Sequence, residues 1–344
     1  MAKFAHFVQV ILANIIGYFI ATLLLCRTFL LFLRSPIKFV KGTFFNKRKV
    51  MPTCLNDPSL GNHGFIHLEE VKLHYIACGD ESKPLMLCLH GFPEFWYSWR
   101  YQIREFSKDY RVVAIDQRGY GDSDKPSGYQ NYSYDHLTKD IQQLIPALGY
   151  TSCTLLSHDW GGAVAWQFVS RYPELVDKLV VCNCPHPATF QKYIRTHWSQ
   201  IKKSWYMYLF QVPWVPEFII RSNDLSFYER VFKSFKNNKP SDEDIEAYKY
   251  TFARKGALTG PVNYYRAAFN LSRQRQQCKT KINVPTLVIW GDPDQALNTE
   301  LAELAGEYVT NLEVKVIRNS NHFVMIDKPE ECNAAIREFL QGKQ

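Results

Sequence analysis

The stretch LLSHDWGGAVAW, residues 155–166, decides how this chain is expected to fold. An apolar run of strand length ends at Ser157, and a helical pattern begins at Gly161. Small residues at these two positions allow a sharp, strained turn from strand to helix, and such a turn often carries a nucleophile at its apex. The apex here is Asp159, so the sequence raises the question of what chemistry a carboxylate would perform at that position.

Outward from this turn, apolar runs of strand length alternate with helical patterns. Residues 65–79 alternate in polarity and predict a hairpin, and six further strands are predicted at 84–89, 111–115, 153–157, 178–182, 284–290 and 312–317. Helices are predicted near 133–148, 161–171, 298–309 and 329–341, and Pro146 is expected to end or kink the first of them. This alternation predicts an α/β fold with a mostly parallel central sheet.

The alternation stops between Pro185 and Cys278, where aromatic residues and helical patterns predominate without a convincing strand. We interpret this segment as a helical cap inserted into the α/β core. The predicted organisation is an anchor at 1–33, a basic linker at 34–63, the first part of the core at 64–185, the cap at 186–278 and the second part of the core at 279–344.

The N-terminal region predicts one transmembrane helix. Residues 4–26 contain no Lys, Arg, Asp or Glu, and about 20 apolar residues suffice to cross a bilayer. A cleaved signal peptide is the alternative, but the run is long and no suitable cleavage site follows it. Basic residues are concentrated after the span, and only Lys3 precedes it, so the catalytic domain is expected on the cytosolic side, at the endoplasmic reticulum.

Charge and cysteine content restrict the remaining function classes. Residues 1–49 hold eight of the 41 basic side chains and no acid, whereas the rest of the chain is formally neutral, which argues against a nucleic-acid partner. The nine cysteines show no metal-binding spacing and are interpreted as free thiols in a reducing compartment. In the predicted orientation, the sequons at Asn131 and Asn270 would carry no glycan.

Reactive side chains follow several predicted strands, at the sheet edge where ligands bind in open α/β folds. Asp159, Asp294 and His322 occur in the chain order nucleophile, acid, base. Asp292 competes with Asp294 for the acid role, and either carboxylate could instead cap the helix predicted to begin near 298. The pattern predicts a three-residue catalytic site with a carboxylate as the nucleophile.

Five motifs carry a resemblance to a known family: HGFPEFWYSWR (90–100), DQRGYGDSDKP (116–126), HDWGG (158–162), NCPHP (183–187) and NYYRA (263–267). Together they resemble the epoxide hydrolases of the α/β-hydrolase superfamily, over roughly residues 64–340. The resemblance implies an α/β-hydrolase fold with an inserted cap, and some members also have an N-terminal anchor. Ser157 and Asn321 depart from the family pattern, which usually has glycine at these positions.

A carboxylate suits the reaction that this resemblance implies. Asp159 would open an epoxide by displacement at carbon and form a hydroxyalkyl ester. The resemblance assigns Tyr265 and Tyr206 to the epoxide oxygen, with Tyr208 as the alternative to Tyr206, and places Trp160 in the substrate site. A serine nucleophile would give an ether, which water activated by a histidine does not cleave.

The ester would then be hydrolysed by water that His322, oriented by Asp294, deprotonates. The backbone N–H groups of Phe92 and Trp160 are expected to bind the oxyanion, and each such donor typically contributes about 3 kcal/mol. Neither a metal nor an organic cofactor is expected. The expected partners are water, a lipophilic epoxide such as a fatty-acid epoxide, and the membrane through residues 4–26; the expected product is a vicinal diol.

Two other functions remain open at this point. A haloalkane or haloacid dehalogenase also uses an aspartate at this turn, but the two cap tyrosines and Phe92 favour an epoxide hydrolase. A membrane-anchored binding protein with an inactive hydrolase fold would lack one of the catalytic residues, whereas here all the positions are filled. A serine esterase is disfavoured because the sequence contains no G-x-S-x-G motif.

Overall fold

One eight-stranded sheet organises the protein. The computed structural model describes residues 2–45, 48–271 and 281–342. The strands are β1 (Asn62–His67), β2 (Lys72–Cys78), β3 (Leu85–Leu89), β4 (Arg111–Ile115), β5 (Cys153–His158), β6 (Val176–Cys182), β7 (Thr286–Asp292) and β8 (Leu312–Arg318). Their order in the sheet is β1-β2-β4-β3-β5-β6-β7-β8.

The pairing of the strands confirms the predicted sheet. β1 pairs antiparallel with β2 as a hairpin, and β2 pairs antiparallel with β4. All remaining neighbours pair in parallel. Every residue of β3 and β5 is buried, as expected for central strands covered on both faces. The fold is therefore the predicted α/β architecture.

Thirteen α-helices occur in the described residues. They are α1 (Ala2–Arg34), α2 (Pro36–Val40), α3 (Arg100–Phe106), α4 (Tyr134–Ala147), α5 (Trp160–Arg171), α6 (Pro187–Tyr193), α7 (Trp198–Lys203), α8 (Trp205–Leu209), α9 (Val215–Phe232), α10 (Asp242–Phe252), α11 (Thr259–Asn270), α12 (Val324–Asp327) and α13 (Pro329–Gln341).

Two helix predictions need comment. Helix α4 ends at Ala147, one residue after Pro146, so the proline lies in the last turn and does not kink the helix interior. The segment predicted as a helix at 298–309 instead forms two short 3₁₀ helices, Thr299–Leu301 and Glu303–Glu307. This segment includes Gly306, and the high backbone entropy of glycine disfavours a continuous α-helix.

The N-terminal region begins with the long helix α1. Within it, Val10–Arg34 has a mean hydropathy of 2.1 and is long and apolar enough to cross a membrane. The segment predicted as a linker is not simply extended. It contains α2, a π-helical turn at Lys41–Phe45 and two 3₁₀ turns, and strand β1 begins at its end.

The inserted segment between β6 and β7 carries helices α6–α11 and, in its described part, no strand. We call this group of helices the cap. Helix α9 is broken at Ser222–Leu225, where Asn223, Asp224 and Leu225 have positive φ. The predicted end of the cap at residue 278, and Cys278 itself, lie outside the described residues, and the eight other cysteines are free thiols.

Candidate active site

Asp159 occupies the single-residue connection between β5 and α5. Its φ of 48° and ψ of −117° are strained for a residue with a side chain. Two glycines make room for the turn. A Cβ on Gly161 would lie 2.2 Å from the Leu89 carbonyl oxygen, and one on Gly91 would lie 2.4 Å from the Asp159 Cβ. The turn therefore depends on the absence of side chains at both neighbouring positions.

The structure brings the three predicted residues Asp159, Asp294 and His322 together. The His322 Nε2 lies 3.4 Å from the Asp159 Oδ2. On the other side of the ring, the His322 Nδ1 lies 2.7 Å from the Asp294 Oδ2. The imidazole therefore sits between two buried carboxylates, with one nitrogen facing each of them.

A hydrogen-bond network fixes Asp294. Its Oδ1 accepts bonds from the backbone N–H groups of Ala296 and Leu297, at 2.6 and 3.0 Å. Its Oδ2 accepts a bond of 2.8 Å from the side-chain amide of Asn183, a residue that the sequence interpretation missed. Asn183 stands in the quoted NCPHP motif, so the motif contained its signal.

Asp292, the competing candidate for the acid role, points to other partners. Its Oδ1 accepts a hydrogen bond of 2.7 Å from the Thr299 hydroxyl, and its Oδ2 pairs with Arg318 at 2.5 Å. The structure thus places Asp294, and not Asp292, against the His322 ring.

Neighbouring charges set the protonation states of Asp159 and His322. Burial opposes a charge on His322, but Asp294 and Asp159 outweigh burial and raise the pKa of the imidazole well above its ordinary value. Burial likewise disfavours the charge on Asp159, yet the bond to His322 and the imidazolium charge hold the pKa of that carboxyl below its ordinary value. The resting site therefore contains an ionised Asp159 and a protonated His322.

The predicted oxyanion donors lie on both sides of Asp159. The Phe92 N–H donates a hydrogen bond of 2.8 Å to the Asp159 Oδ1. Trp160 is the first residue of α5, and the first N–H groups of a helix have no intrahelical acceptor. Both side chains are 8% exposed, so these backbone groups are shielded from bulk water.

The cap places Tyr206 on α8 and Tyr265 on α11. Their rings pack edge to face with centroids 5.8 Å apart, and the Trp160 ring packs against Tyr265 at 4.8 Å. Burial and the nearby Asp159 charge raise the pKa of both tyrosines, so both remain protonated donors at neutral pH. For Tyr208, the alternative, burial raises the pKa, and its ring contacts Phe269.

A second buried pair, Glu94 and His158, was not identified from the sequence. The Glu94 Oε2 lies 2.6 Å from the His158 Nδ1 and accepts a hydrogen bond of 2.8 Å from the Gly91 N–H. The His158 Nε2 lies 2.9 Å from the backbone carbonyl of His322. The pair thus connects the loop that carries Phe92 with the loop that carries His322. Both residues stand in quoted motifs.

In the described part of the chain, one group of residues has a geometry compatible with a metal ion, formed by His74, Asp116 and Asp122. Both His74 ring nitrogens already have partners, at 2.8 Å to Asp116 and 2.8 Å to His63. These bonds link His63, His74 and Asp116 in a hydrogen-bond chain that uses both ring nitrogens of His74.

Two cavities meet at Asp159, Tyr206 and Tyr265. The first has a volume of about 510 Å³ and is also lined by Phe92 and His322. The second has a volume of about 520 Å³ and is also lined by Trp160. Every predicted side chain that would touch a substrate therefore faces one or both cavities. A carboxylate nucleophile, an acid–base histidine and two hydroxyl donors share this space.

Comparisons with known proteins show the family to which this chain belongs. The model of the family described as alpha/beta hydrolase fold matches residues 84–329. Epoxide hydrolase 4 of Homo sapiens is 45% identical over 303 residues, which cover 86% of this chain and 83% of that protein. Epoxide hydrolase 1 of Caenorhabditis elegans is 44% identical over 92% of this chain and 78% of its own length.

A solved structure is similar as well. A crystal structure of the epoxide hydrolase of Bacillus megaterium, in complex with an inhibitor, has a TM-score of 0.74 and 37% sequence identity. The match covers 81% of this chain and 100% of that one.

Proposed function

Because the chain belongs to the epoxide hydrolases of the α/β-hydrolase fold, we propose that it converts lipophilic epoxides to vicinal diols through an ester on Asp159. One observation carries the proposal. The ionised Asp159 carboxylate, paired with His322 at 3.4 Å, shares its cavities with the two tyrosines Tyr206 and Tyr265. A nucleophile for carbon and proton donors for oxygen therefore face the same space.

In the first step, an Asp159 oxygen attacks an epoxide carbon and the C–O bond of the ring breaks. The negative charge that develops on the departing oxygen is stabilised by the two tyrosine hydroxyls, one of which gives up its proton. The His322 imidazolium then returns a proton to the tyrosinate. The products of this step are a neutral hydroxyalkyl ester and a neutral imidazole.

Ester formation itself prepares the second step. It removes the Asp159 charge, which is one of the two charges that hold the proton on His322. The pKa of the imidazole therefore falls, although Asp294 still orients the ring at 2.7 Å. Neutral His322 can now take a proton from water as the water oxygen attacks the ester carbonyl.

The oxyanion formed by this attack needs donors. The Phe92 N–H already lies 2.8 Å from the Asp159 Oδ1, and the Trp160 N–H follows the nucleophile directly. Collapse breaks the bond between the carbonyl carbon and the substrate oxygen, which takes the proton from His322 as the diol leaves. Asp159 then transfers its proton to His322, and the resting site is restored.

The lining of the cavities favours a lipophilic substrate. The first cavity is enclosed largely by apolar residues of the cap, including Leu209, Phe210 and Ile219. Phe190, Ile201 and Met207 contribute similarly to the second. Apolar walls with a few convergent polar groups are typical of sites for lipophilic ligands. Fatty-acid epoxides meet this description.

Oxygen labelling tests the covalent route. With enzyme in excess over 1,2-epoxyhexadecane in ¹⁸O-water, the first diol should contain no ¹⁸O, because its new oxygen comes from Asp159. The label should appear in the peptide that contains Asp159, as measured by mass spectrometry. Label in the first diol would mean direct attack by water, and absence of any diol would contradict the proposed activity. Release of halide from 1-chlorohexadecane would favour the dehalogenase instead.

We also propose that α1 anchors the protein in the endoplasmic reticulum membrane with the catalytic domain in the cytosol. The support is the apolar segment Val10–Arg34 and the basic residues that follow residue 26. In animal cells, Asn131 should then carry no glycan, whereas a sequon added before Met1 should be glycosylated. A deglycosidase-sensitive mobility shift of the unmodified chain would reverse this orientation.

A further inference from the structure

Helix α1 packs directly on the cap. It contacts α8 and α9 along a face of small residues. A Cβ on Gly17 would lie 2.3 Å from the Tyr208 carbonyl oxygen, and Ala13 and Ala21 are each 3% exposed. Small residues at a spacing of four allow the backbones of two apolar segments to approach closely. The helix is therefore seated against the segment that carries Tyr206.

The opposite face of α1 is apolar and uncovered. Ile15, Phe19 and Leu23 are 60%, 67% and 56% exposed, and only 11% of the most apolar window of the helix is buried. A face of this kind is expected to contact lipid. One face of α1 thus contacts the cap while the other is available to the bilayer.

Both cavities use α1 as a wall, on either side of the Gly17 contact. Towards the C-terminus of the helix, the first cavity is lined by Leu24, Arg27, Thr28 and Leu31. Towards its N-terminus, the second cavity is lined by Leu12, Ala13 and Ile16. We call the part of the second cavity that Leu12, Ala13 and Ile16 line the apolar mouth. It connects the lipid-facing helix with Asp159.

Its position along α1 sets the expected surroundings of the apolar mouth. Leu12 and Ile16 lie within residues 4–26, the segment without charged side chains, whereas the α1 wall of the first cavity includes Arg27. Three tryptophans of the cap, Trp198, Trp205 and Trp214, are 66%, 44% and 68% exposed. Exposed tryptophans are enriched at membrane interfaces.

We propose that lipophilic epoxides reach Asp159 directly from the bilayer, through the apolar mouth between α1 and the cap. Helix α1 is then part of the substrate path as well as an anchor. This inference rests on the proposed epoxide hydrolase activity and adds the route and the source of the substrate. A substrate that partitions into lipid would pass from acyl chains to an apolar wall without crossing water.

Matched tryptophan variants test the route. In full-length protein reconstituted in phosphatidylcholine vesicles, Ile16→Trp adds bulk in the mouth, and Ile15→Trp makes the same change on the lipid-facing side. The readout is the ratio of kcat/KM for 1,2-epoxyhexadecane to that for propylene oxide. Ile16→Trp should lower this ratio about ten-fold and Ile15→Trp by less than about two-fold. An unchanged ratio in Ile16→Trp, or an equal fall in both, would overturn the route.

A second measurement needs no variant. The wild-type protein and 1,2-epoxyhexadecane are placed either in the same vesicles or in separate vesicles. Access from the bilayer predicts immediate turnover in the first case and a lag in the second, because the epoxide must first transfer between membranes. Equal initial rates would show that the epoxide arrives through water. Conversion of 1,2-epoxyhexadecane in detergent micelles serves as the separate check, since failure there would contradict the proposed function itself.

Discussion

In the core, Asp159, Asp294 and His322 each follow a strand of one sheet, and β7 and β8 pair in parallel along seven residues of each strand. In the cap, Tyr206 lies on a five-residue helix and Tyr265 on a separate helix. The nearby helix α9 is broken at Ser222–Leu225. The core thus holds its functional groups by a continuous hydrogen-bonded scaffold, whereas the cap holds them by packing.

This difference indicates that the core and the cap contribute to catalysis in different ways. The core groups are charged, so their distances and protonation states must be fixed, and backbone N–H groups and Asn183 serve that purpose. The cap groups are neutral donors, and they line the same cavities as residues of α1. We therefore expect larger losses from changes in the core than from changes in the cap.

The largest effect is expected for Asp159→Ala, which removes the nucleophile. Diol formation should fall at least about 10⁴-fold, because no other group can form the ester. Turnover is measured with 1,2-epoxyhexadecane, and circular dichroism checks the fold. Asp292→Ala removes a carboxylate that pairs with Arg318 at 2.5 Å, and it serves as the matched control with activity close to wild type. Substantial turnover by Asp159→Ala would exclude covalent catalysis by this residue.

The next largest effect should separate the two steps. His322→Gln leaves Asp159 in place but removes the base, so ester hydrolysis should slow about 10³-fold while the enzyme still becomes alkylated. Mass spectrometry after a single turnover should show the protein heavier by one substrate molecule. An inactive variant without this adduct would show that His322 is needed before the ester forms.

The pH dependence should separate the same two steps in the wild type. Interaction with His322 holds the pKa of Asp159 below its ordinary value, so alkylation should persist in acid solution. Hydrolysis needs neutral His322, whose pKa Asp294 raises, and should fall about ten-fold per pH unit below that pKa. The ester should therefore accumulate at low pH in rapid-quench experiments. A parallel decline of both steps would contradict the assigned protonation states.

The core was largely predictable from the sequence because its signals are local. Apolar runs predicted the strands, and Asp159 and His322 stand two and five residues after the ends of two of these runs. The supporting contacts were not local. Glu94 and His158 are 64 positions apart, and Asn183 and Asp294 are 111 apart. Single motifs cannot show such pairings.

The cap and α1 were less predictable for another reason. An apolar helix has the same composition whether lipid or protein covers it, so residues 4–26 predicted an anchor but not the contact of Gly17 with Tyr208. The short α8 likewise gave no periodic signal that would distinguish Tyr206 from Tyr208. These features depend on packing between segments almost two hundred residues apart.

Loss of the cap donors should have an intermediate effect. Tyr265→Phe should slow alkylation by about 10- to 100-fold, or about 1.4–2.8 kcal/mol, because it removes a bond that strengthens as the ring opens. Tyr206→Phe should act similarly, and the double variant should be nearly inactive, since the two hydroxyls serve one oxygen. Hydrolysis of a preformed ester should not change. Tyr208→Phe tests the alternative donor, because Tyr208 also lines the second cavity, and it should leave alkylation unchanged if Tyr206 is the donor. Native alkylation by the double variant would show that Tyr206 and Tyr265 have only a structural role.

The smallest effect should come from the contact between α1 and the cap. A Cβ on Gly17 would lie 2.3 Å from the Tyr208 carbonyl oxygen, so Gly17→Val must move α1 or α8. Because α8 also carries Tyr206, we expect a fall of about three-fold in the alkylation rate, with no change in ester hydrolysis, which uses only core groups. Rapid-quench measurement of both steps provides the readout. Thr22→Val adds the same side chain to an exposed position of the same helix and should have no effect. If Gly17→Val slowed hydrolysis as much as alkylation, the cap and the core would be mechanically coupled, and the division between them would not hold.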